Sequence, residues 1–263
     1  MITVEPISGF TDNYFWLLTG GNGLAAIVDP GDPEPVRRVL AERQLRLEAI
    51  LITHHHADHI GGISALAGDG VPVYGPLAEQ ALIAGIDHPV KGGDRVELAG
   101  LGLALEVIEV PGHTRGHIAY YAHKSDLLLC GDTLFAAGCG RLFEGTPAQM
   151  HASLQRLAAL PLQTRVYCTH EYTLSNLAFA LAVEPGRPEL EAEIARVRAL
   201  RAEHRPSLPS TIARELDTNP FLRCNNPAVR ATAERHAGMA LPSAEAVFSV
   251  LRHWKDSFRA PAL

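Results

Sequence analysis

Four histidines and an aspartate fall within seven residues of this chain, Thr53-His54-His55-His56-Ala57-Asp58-His59, directly after the apolar run Ala49 to Ile52. Three more potential ligands stand in similar places: His113 after E-V-I-E-V-P-G, Asp132 after L-L-L-C-G, and His170 after R-V-Y-C-T. Buried strands that each release a ligand at the C-terminal end can converge those ligands on one rim, which is what a metal site requires. Side chains at 54 and 56 can project to the same side of an extended loop, while Asp58 and His59 continue round a turn and can face a second ion. Imidazole suits zinc, iron and other first-row ions, and a carboxylate such as Asp132 can bridge two of them. With 13 histidines in the chain, any single one reads more readily as a surface or turn histidine than as a ligand. The clustered H-x-H-x-D-H followed by three more strand-end ligands does not.

The elements that must position these residues can be read from pattern. F-W-L-L-T breaks at Gly20 to Gly23, and L-A-A-I-V runs into the turn Asp29 to Pro33, so the chain opens with paired strands. Helical spacing covers Glu34 to Gln44, and a helix can begin at Gly61 to Leu66 behind the ligand loop. V-P-V-Y is a strand candidate, Gly92 to Cys130 is mainly β with a tight hairpin in L-A-G-L-G-L-A-L, and Pro147 opens a helix that ends before Pro161. After His170 the texture becomes helical. Tyr172 to Val183 is apolar at helical spacing, Glu189 to His204 repeats Glu and Arg as an exposed helix face does, and Ala244 to Phe258 makes a last helix carrying Arg252 and Lys255. Pro206 to Pro209 is a connector. The expectation is an α/β body followed by helices alone.

Composition sets the bounds. The 263 residues, 47% hydrophobic, can build one large domain plus a smaller one. A net charge of −6 argues against general binding to nucleic acid or a membrane surface, while leaving room for a local basic pocket. The N-terminus lacks a basic segment leading into an apolar stretch, and no run of about 18 apolar residues occurs, so neither export nor a membrane span is expected. Cys130, Cys139, Cys168 and Cys224 include no C-x-x-C pair and suggest neither a zinc knuckle nor a disulfide framework; the expected compartment is the reducing cytoplasm.

Taken together, T-H-H-H-A-D-H, P-G-H-T-R-G-H, L-C-G-D-T-L-F and Y-C-T-H-E-Y resemble the metallo-β-lactamase superfamily, and within it the glyoxalase II (hydroxyacylglutathione hydrolase) family. G-D-T-L-F-A-A-G-C-G-R from Gly131, H-E-Y-T-L-S-N-L from His170 and N-P-F-L-R-C from Asn219 narrow the resemblance to that family. It implies an αββα sandwich over residues 1–170 and a smaller α-helical, substrate-binding domain over 171–263. It assigns His54, His56 and His113 to one metal, Asp58, His59 and His170 to a second, and Asp132 to both. His55 falls at the variable position of the motif, and His117 is surplus to the seven, with an orienting or packing role expected.

The implied cofactors are two divalent ions, zinc first, with iron and manganese chemically compatible. The implied reaction is hydrolysis of S-D-lactoylglutathione to glutathione and D-lactate, the second step of methylglyoxal detoxification. A hydroxide held between the ions attacks, with Asp132 bridging and Asp58 handling a proton. Chemistry alone leaves esters, lactones, lactams and phosphodiesters open. The same resemblance places the glutathione moiety against Arg141, Tyr172, Arg252 and Lys255, where cationic groups can pair with its two carboxylates. Arg141 stands where many relatives have Lys, and Phe143 where some have Tyr. Cys139 reads as a small packing residue. The alternatives are a glutathione persulfide dioxygenase, expected to use one iron and a shorter tail, another hydrolase of the same fold, and a non-catalytic metal-binding protein. A small-molecule substrate, no nucleic-acid or membrane partner, and a monomer complete the expectations.

Overall fold

Strands β1 (Thr3–Gly9), β2 (Asn13–Thr19), β3 (Leu24–Val28), β4 (Arg46–Leu51), β5 (Val73–Pro76) and β6 (His88–Val90) lie side by side in that order in the computed structural model, which describes residues 2–259. Met1 and residues 260–263, the outermost positions of the two expected domains, fall outside the described residues. The β1–β3 pairings are antiparallel and the β3–β6 pairings parallel. A second sheet is built from β7 (Arg95–Leu98), β8 (Leu103–Glu109), β9 (Ile118–Ala122), β10 (Leu127–Gly131), β13 (Arg165–Cys168) and β14 (Ser210–Thr211). Between β10 and β13 the chain makes a small hairpin, β11 (Leu134–Phe135) with β12 (Gly138–Cys139). Helices α1 (Pro33–Glu42), α2 (Ala57–Ile60), α3 (Ile63–Leu66) and α4 (Pro147–Ala158) belong to the sandwich, and α5 (Thr173–Val183), α6 (Pro188–Ala202), α7 (Ile212–Thr218), α8 (Pro227–Ala237) and α9 (Ala244–Ser257) follow it.

Period-two alternation explains the layering. Trp16 and Leu18, Ala26 and Val28, and Ala49 and Leu51 face the second sheet in one cluster with Leu105, Val107 and Tyr120. Their neighbours Phe15 and Leu17, Ala25 and Ile27, and Ile50 and Ile52 face the other way, against Val36 of α1 and Ile63 and Leu66 of α3. Strands buried on both faces read as continuous apolar runs, which is why Ala49 to Ile52 shows no polar alternation. Pro at the first turn and capping by Asp32 and Thr146 start α1 and α4 where the sequence predicts them.

The tail is not helices alone. Ser210 and Thr211 form β14, which pairs antiparallel with Val166 and Arg165 of β13 and so covers the backbone groups that this strand would otherwise leave unpaired. That pairing joins positions far apart in sequence and leaves no local pattern. In α6, Leu190, Ile194 and Val197 form a narrow buried stripe against Leu177 and Ala180 of α5, while the Glu and Arg residues cover the rest.

The helical region grips the β11–β12 hairpin. Asn219, which opens N-P-F-L-R-C, donates its side-chain amide to the carbonyls of Phe135 (3.2 Å) and Gly138 (2.8 Å), and Asn176 donates to that of Ala136 at 3.0 Å. The N–H of Ala137, a non-glycine residue with φ of 53°, donates to Glu215 Oε2 at 2.8 Å. Glu215 also accepts from Asn219 and from the Ser210 hydroxyl. Burial pushes its carboxyl up to about 7, against the hydrogen bonds from Ser210, Asn219 and Ala137 that pull it down. An acid whose folded value exceeds its unfolded one binds more protons when folded. Its contribution is therefore full below the unfolded value and is lost as pH rises through about 7. In Glu215→Gln that loss disappears. The variant's stability relative to wild type, measured by urea unfolding, should improve by about 2 kcal/mol between pH 5 and pH 8. Parallel stability profiles would contradict this.

Candidate metal centre

Each strand named in the sequence reading delivers its ligand to one end of the sandwich. His54 and His56 follow β4, Asp58 and His59 lie in α2, and His113, Asp132 and His170 follow β8, β10 and β13. The ligand loop is held by backbone-to-backbone packing with the turn after β3. A Cβ on Gly31 would sit 1.9 Å from the Asp58 carbonyl oxygen, so only glycine fits there. Gly131, with φ of 49°, likewise lets β10 pass within 2.4 Å of the Thr53 hydroxyl, measured from where a Cβ would stand.

Donor atoms gather into two overlapping sets. His54 Nε2 lies 3.1 Å and His113 Nε2 2.9 Å from His56 Nδ1. Asp58 Oδ2 lies 3.5 Å from His59 Nε2 and 3.6 Å from His170 Nε2. Asp132 stands between the sets, with Oδ1 3.6 Å from His59 Nε2 and Oδ2 3.4 Å from His113 Nε2 and 3.3 Å from His170 Nε2. Within each of the groups His54-His56-His113, His54-His59-Asp132 and Asp58-His59-His170, one donor atom per residue lies within 4.8 Å of the others.

Outer partners aim these atoms. His113 Nδ1 donates to the Arg141 carbonyl at 2.8 Å, which leaves the Nε2 lone pair facing His56. His170 Nδ1 lies 2.8 Å from Asp12 Oδ1, and His59 Nδ1 3.1 Å from Asp29 Oδ2, off the line of a regular hydrogen bond. Asp29 also accepts from the N–H and hydroxyl of Thr53, at 2.8 and 2.7 Å, and Asn13 donates to Asp58 Oδ2 at 2.9 Å. A carboxylate or carbonyl behind a ligating imidazole is the usual arrangement that fixes its tautomer. Sequence reasoning missed Asp12, Asn13 and Asp29; only Asp29 carries a local signal, as a polar residue at the end of an apolar strand. His117, the surplus histidine, is fully buried, stacks on His54 with ring centroids 4.5 Å apart, and accepts the Asp132 N–H at 3.1 Å. It stands outside the three donor groups.

Charge divides the cluster. Burial holds His54 well below the ordinary histidine value, and burial together with neighbouring imidazoles lowers His56; in His113 burial outweighs the pull of Asp132. Burial also opposes the cationic form of His170, but Asp132 and Asp12 outweigh it and raise the value to about 9. His59 is raised in the same way by Asp132 and Asp29, and Asp132 is held far below the carboxylate range by His170, His59 and His113 despite its burial. The cluster fits divalent cations: His59 Nε2 and Asp132 Oδ1 are buried without any hydrogen-bond partner among the described residues, and the Nε2 atoms of His54 and His113 converge on His56 Nδ1 within 3.1 Å.

The centre opens into a cleft of about 430 Å³ bordered by Arg141, Phe143, Tyr172, Ser175, Arg252 and Lys255. The four expected substrate-binding residues therefore share one wall, but not one character. Arg141 is exposed, and Tyr172 stacks on His170 with ring centroids 4.8 Å apart. Lys255 Nζ donates to the Ser175 carbonyl at 3.0 Å and to its hydroxyl at 3.1 Å, and burial, then Arg252, lowers its value to about 8. Arg252 is only 3% exposed: Nη1 donates to the Cys139 carbonyl at 2.8 Å, Nη2 to Asp256 at 3.0 Å, and the guanidinium lies over the Phe221 ring. Its fork is largely committed to backbone and Asp256. Cys139 is buried, as expected of a packing residue, and burial raises all four thiols.

Comparison with known proteins agrees with this architecture. Residues 9–170 match the metallo-beta-lactamase superfamily model, and residues 171–258 match the model for the hydroxyacylglutathione hydrolase C-terminus. The hydroxyacylglutathione hydrolase of Cupriavidus taiwanensis is 54% identical over 270 residues, covering 98% of this chain and 100% of that one. That of Nitrosomonas europaea is 49% identical over 260 residues, covering 98% and 97%. Among solved structures, ETHE1 from Myxococcus xanthus superposes with a TM-score of 0.65 at 26% identity, covering 99% of this chain and 92% of that one. TTHA1623 in a di-iron-bound form gives 0.59 at 28%, covering 83% and 100%. With near full-length relatives at this identity and both halves matched, the chain belongs to the hydroxyacylglutathione hydrolase family of the metallo-β-lactamase superfamily.

Proposed function

We propose that the protein hydrolyses 2-hydroxyacyl thioesters of glutathione, with S-D-lactoylglutathione as substrate and glutathione and D-lactate as products. The observation that carries this reading is the junction of the seven-donor cluster with a cleft bearing Arg141, Tyr172 and Lys255, in a chain 54% identical to a hydroxyacylglutathione hydrolase along its length. His54, His56 and His113 would hold one divalent ion, Asp58, His59 and His170 a second, and Asp132 both, with zinc as the proposed metal. When bound, the ions lower the pKa of water towards about 7 and polarise the thioester carbonyl.

The chain's own groups do the rest. Asp58, whose Oδ2 is steadied by Asn13 and which is partly exposed at the mouth, is the carboxylate placed to take up the proton that the attacking water gives up. Asp132 carries its negative charge between the two sets and fixes their separation. Lys255, still cationic near pH 7, and the exposed Arg141 pair with the carboxylates of the tripeptide, while Tyr172 presents its phenol from the face of His170. The sulfur leaves as a thiolate whose ordinary pKa of about 8.5 makes protonation by a general acid unnecessary. The four raised, buried thiols are unsuited to nucleophilic attack. In this division residues 1–170 supply the donors and residues 171–263 most of the substrate contacts.

Two outcomes test the assignment. Metal-loaded protein should turn over S-D-lactoylglutathione, and Asp132→Asn should lose at least about 100-fold in kcat while binding fewer than two ions per chain by elemental analysis. Full metal content and activity in that variant would overturn the shared-carboxylate role. On the substrate side, Lys255→Ala should raise KM about tenfold with kcat and Tm nearly unchanged. Arg252→Ala should instead lower Tm by several degrees because it frees buried carbonyls. Phe143→Tyr is expected to lower KM, since a hydroxyl is added beside the cleft; an unchanged KM would remove Phe143 from substrate recognition.

A further inference from the structure

Glu79 ends a 3₁₀ turn, Leu77–Glu79, just beyond β5, and its carboxylate is 3% exposed. Oε2 accepts the His55 backbone N–H at 2.7 Å and lies 2.8 Å from His55 Nδ1. Oε1 accepts the Thr114 hydroxyl and the Gly116 N–H, the latter at 3.0 Å. These partners belong to two different loops. One places His54 and His56 on either side of His55; the other carries His113 immediately before Thr114. The approach is tight, since a Cβ on Gly116 would lie 2.5 Å from Glu79 Cγ.

A third loop joins the same brace. His55 Nε2 lies 3.2 Å from Glu144 Oε1, and Glu144 Oε2 accepts the Arg115 N–H at 3.0 Å. That loop also contains Arg141, whose carbonyl orients His113, and Phe143. His55, Glu79 and Glu144 are close enough to hold an ion, with one donor atom each within 4.8 Å. Both oxygens of Glu79 are already taken by protein donors, however, so the geometry is that of a brace. Among the described residues Glu79 has no Lys or Arg ion-pair partner, and a buried carboxylate of that kind is costly unless all of its donors are in place, which makes this brace close to all-or-none.

We propose that Glu79 is a positioning residue that sets the spacing of His54, His56 and His113 by pinning His55 on one side and Thr114 and Gly116 on the other, and so governs metal affinity at that set without touching the ion. The inference rests on the ligand assignment proposed above. It also gives the histidine at the motif's variable position a role in this chain.

The test uses the full-length chain, metal-free and zinc-reconstituted, as wild type, Glu79→Gln and Thr114→Val, with His56→Ala as control. Zinc dissociation constants come from competition with a chromophoric chelator, and Tm is recorded with and without zinc. Glu79→Gln should weaken one of the two zinc ions 10- to 100-fold, leave the other within about threefold, and shrink the rise in Tm produced by zinc. Thr114→Val, which removes a single donor, should move the same quantities less, and it decides the matter if Glu79→Gln does not fold. Equal losses of Tm with and without zinc, at unchanged zinc affinity, would overturn the proposal and leave Glu79 a packing residue. If His56→Ala also keeps full zinc affinity, the ligand assignment fails instead of the brace.

Discussion

Seven polar side chains aimed at one another inside a protein are unfavourable by themselves, and the rest of this structure follows from having to hold them there. Imidazole nitrogens meet at 2.9 to 3.1 Å, and burial, reinforced by the neighbouring imidazoles, holds the pKa of His54 well below the ordinary histidine value. On the other side, Asp132 and Asp12 keep His170 protonated up to about 9, so the metal-free cluster neutralises itself in part by ion pairs among its own members. A buried network of this kind is stable only when every member is satisfied. Divalent cations held by the cluster would satisfy the polar atoms that no protein donor reaches, His59 Nε2 and Asp132 Oδ1 among them.

The sandwich supplies the necessary rigidity. A one-residue slip would exchange the side chains fitted between the sheets for those fitted under the helices, and in β8 would turn Glu106 into the core, so the points where β4, β8, β10 and β13 end are fixed in space. Glycines at 31 and 131 then let the connecting segments approach more closely than any side chain would permit. The helical region adds a second constraint from outside: Asn176, Glu215, Asn219 and Arg252 hold the stretch from Phe135 to Cys139, which leads from Asp132, between the two donor sets, to the exposed Arg141. Substrate cleft and metal centre are thus set by the same short hairpin.

Residues that act through local spacing were readable from the chain, and those that act across the fold were not. H-x-H-x-D-H, the strand-end placement of His113, Asp132 and His170, and most of the helices follow from periodicity and punctuation within a dozen residues. Asp12, Asn13 and Glu79 have no such signal, because what makes them matter is a partner up to 158 positions away. The same holds for β14, whose two residues become a strand only by meeting β13. Arg252 is the most instructive position. A cation on the last helix suggested a carboxylate partner; Arg252 does line the cleft, as Lys255 one turn on does, but its contacts with Phe221, the Cys139 carbonyl and Asp256 also tie it to the fold in a way no local pattern announces.

The most direct measurement of the central claim is anomalous diffraction at the zinc absorption edge from crystals of the reconstituted chain. The account predicts two peaks about 3.5 Å apart, one bounded by His54, His56 and His113, the other by Asp58, His59 and His170, with Asp132 touching both. A single peak, or a second one displaced to His55, Glu79 and Glu144, would contradict it.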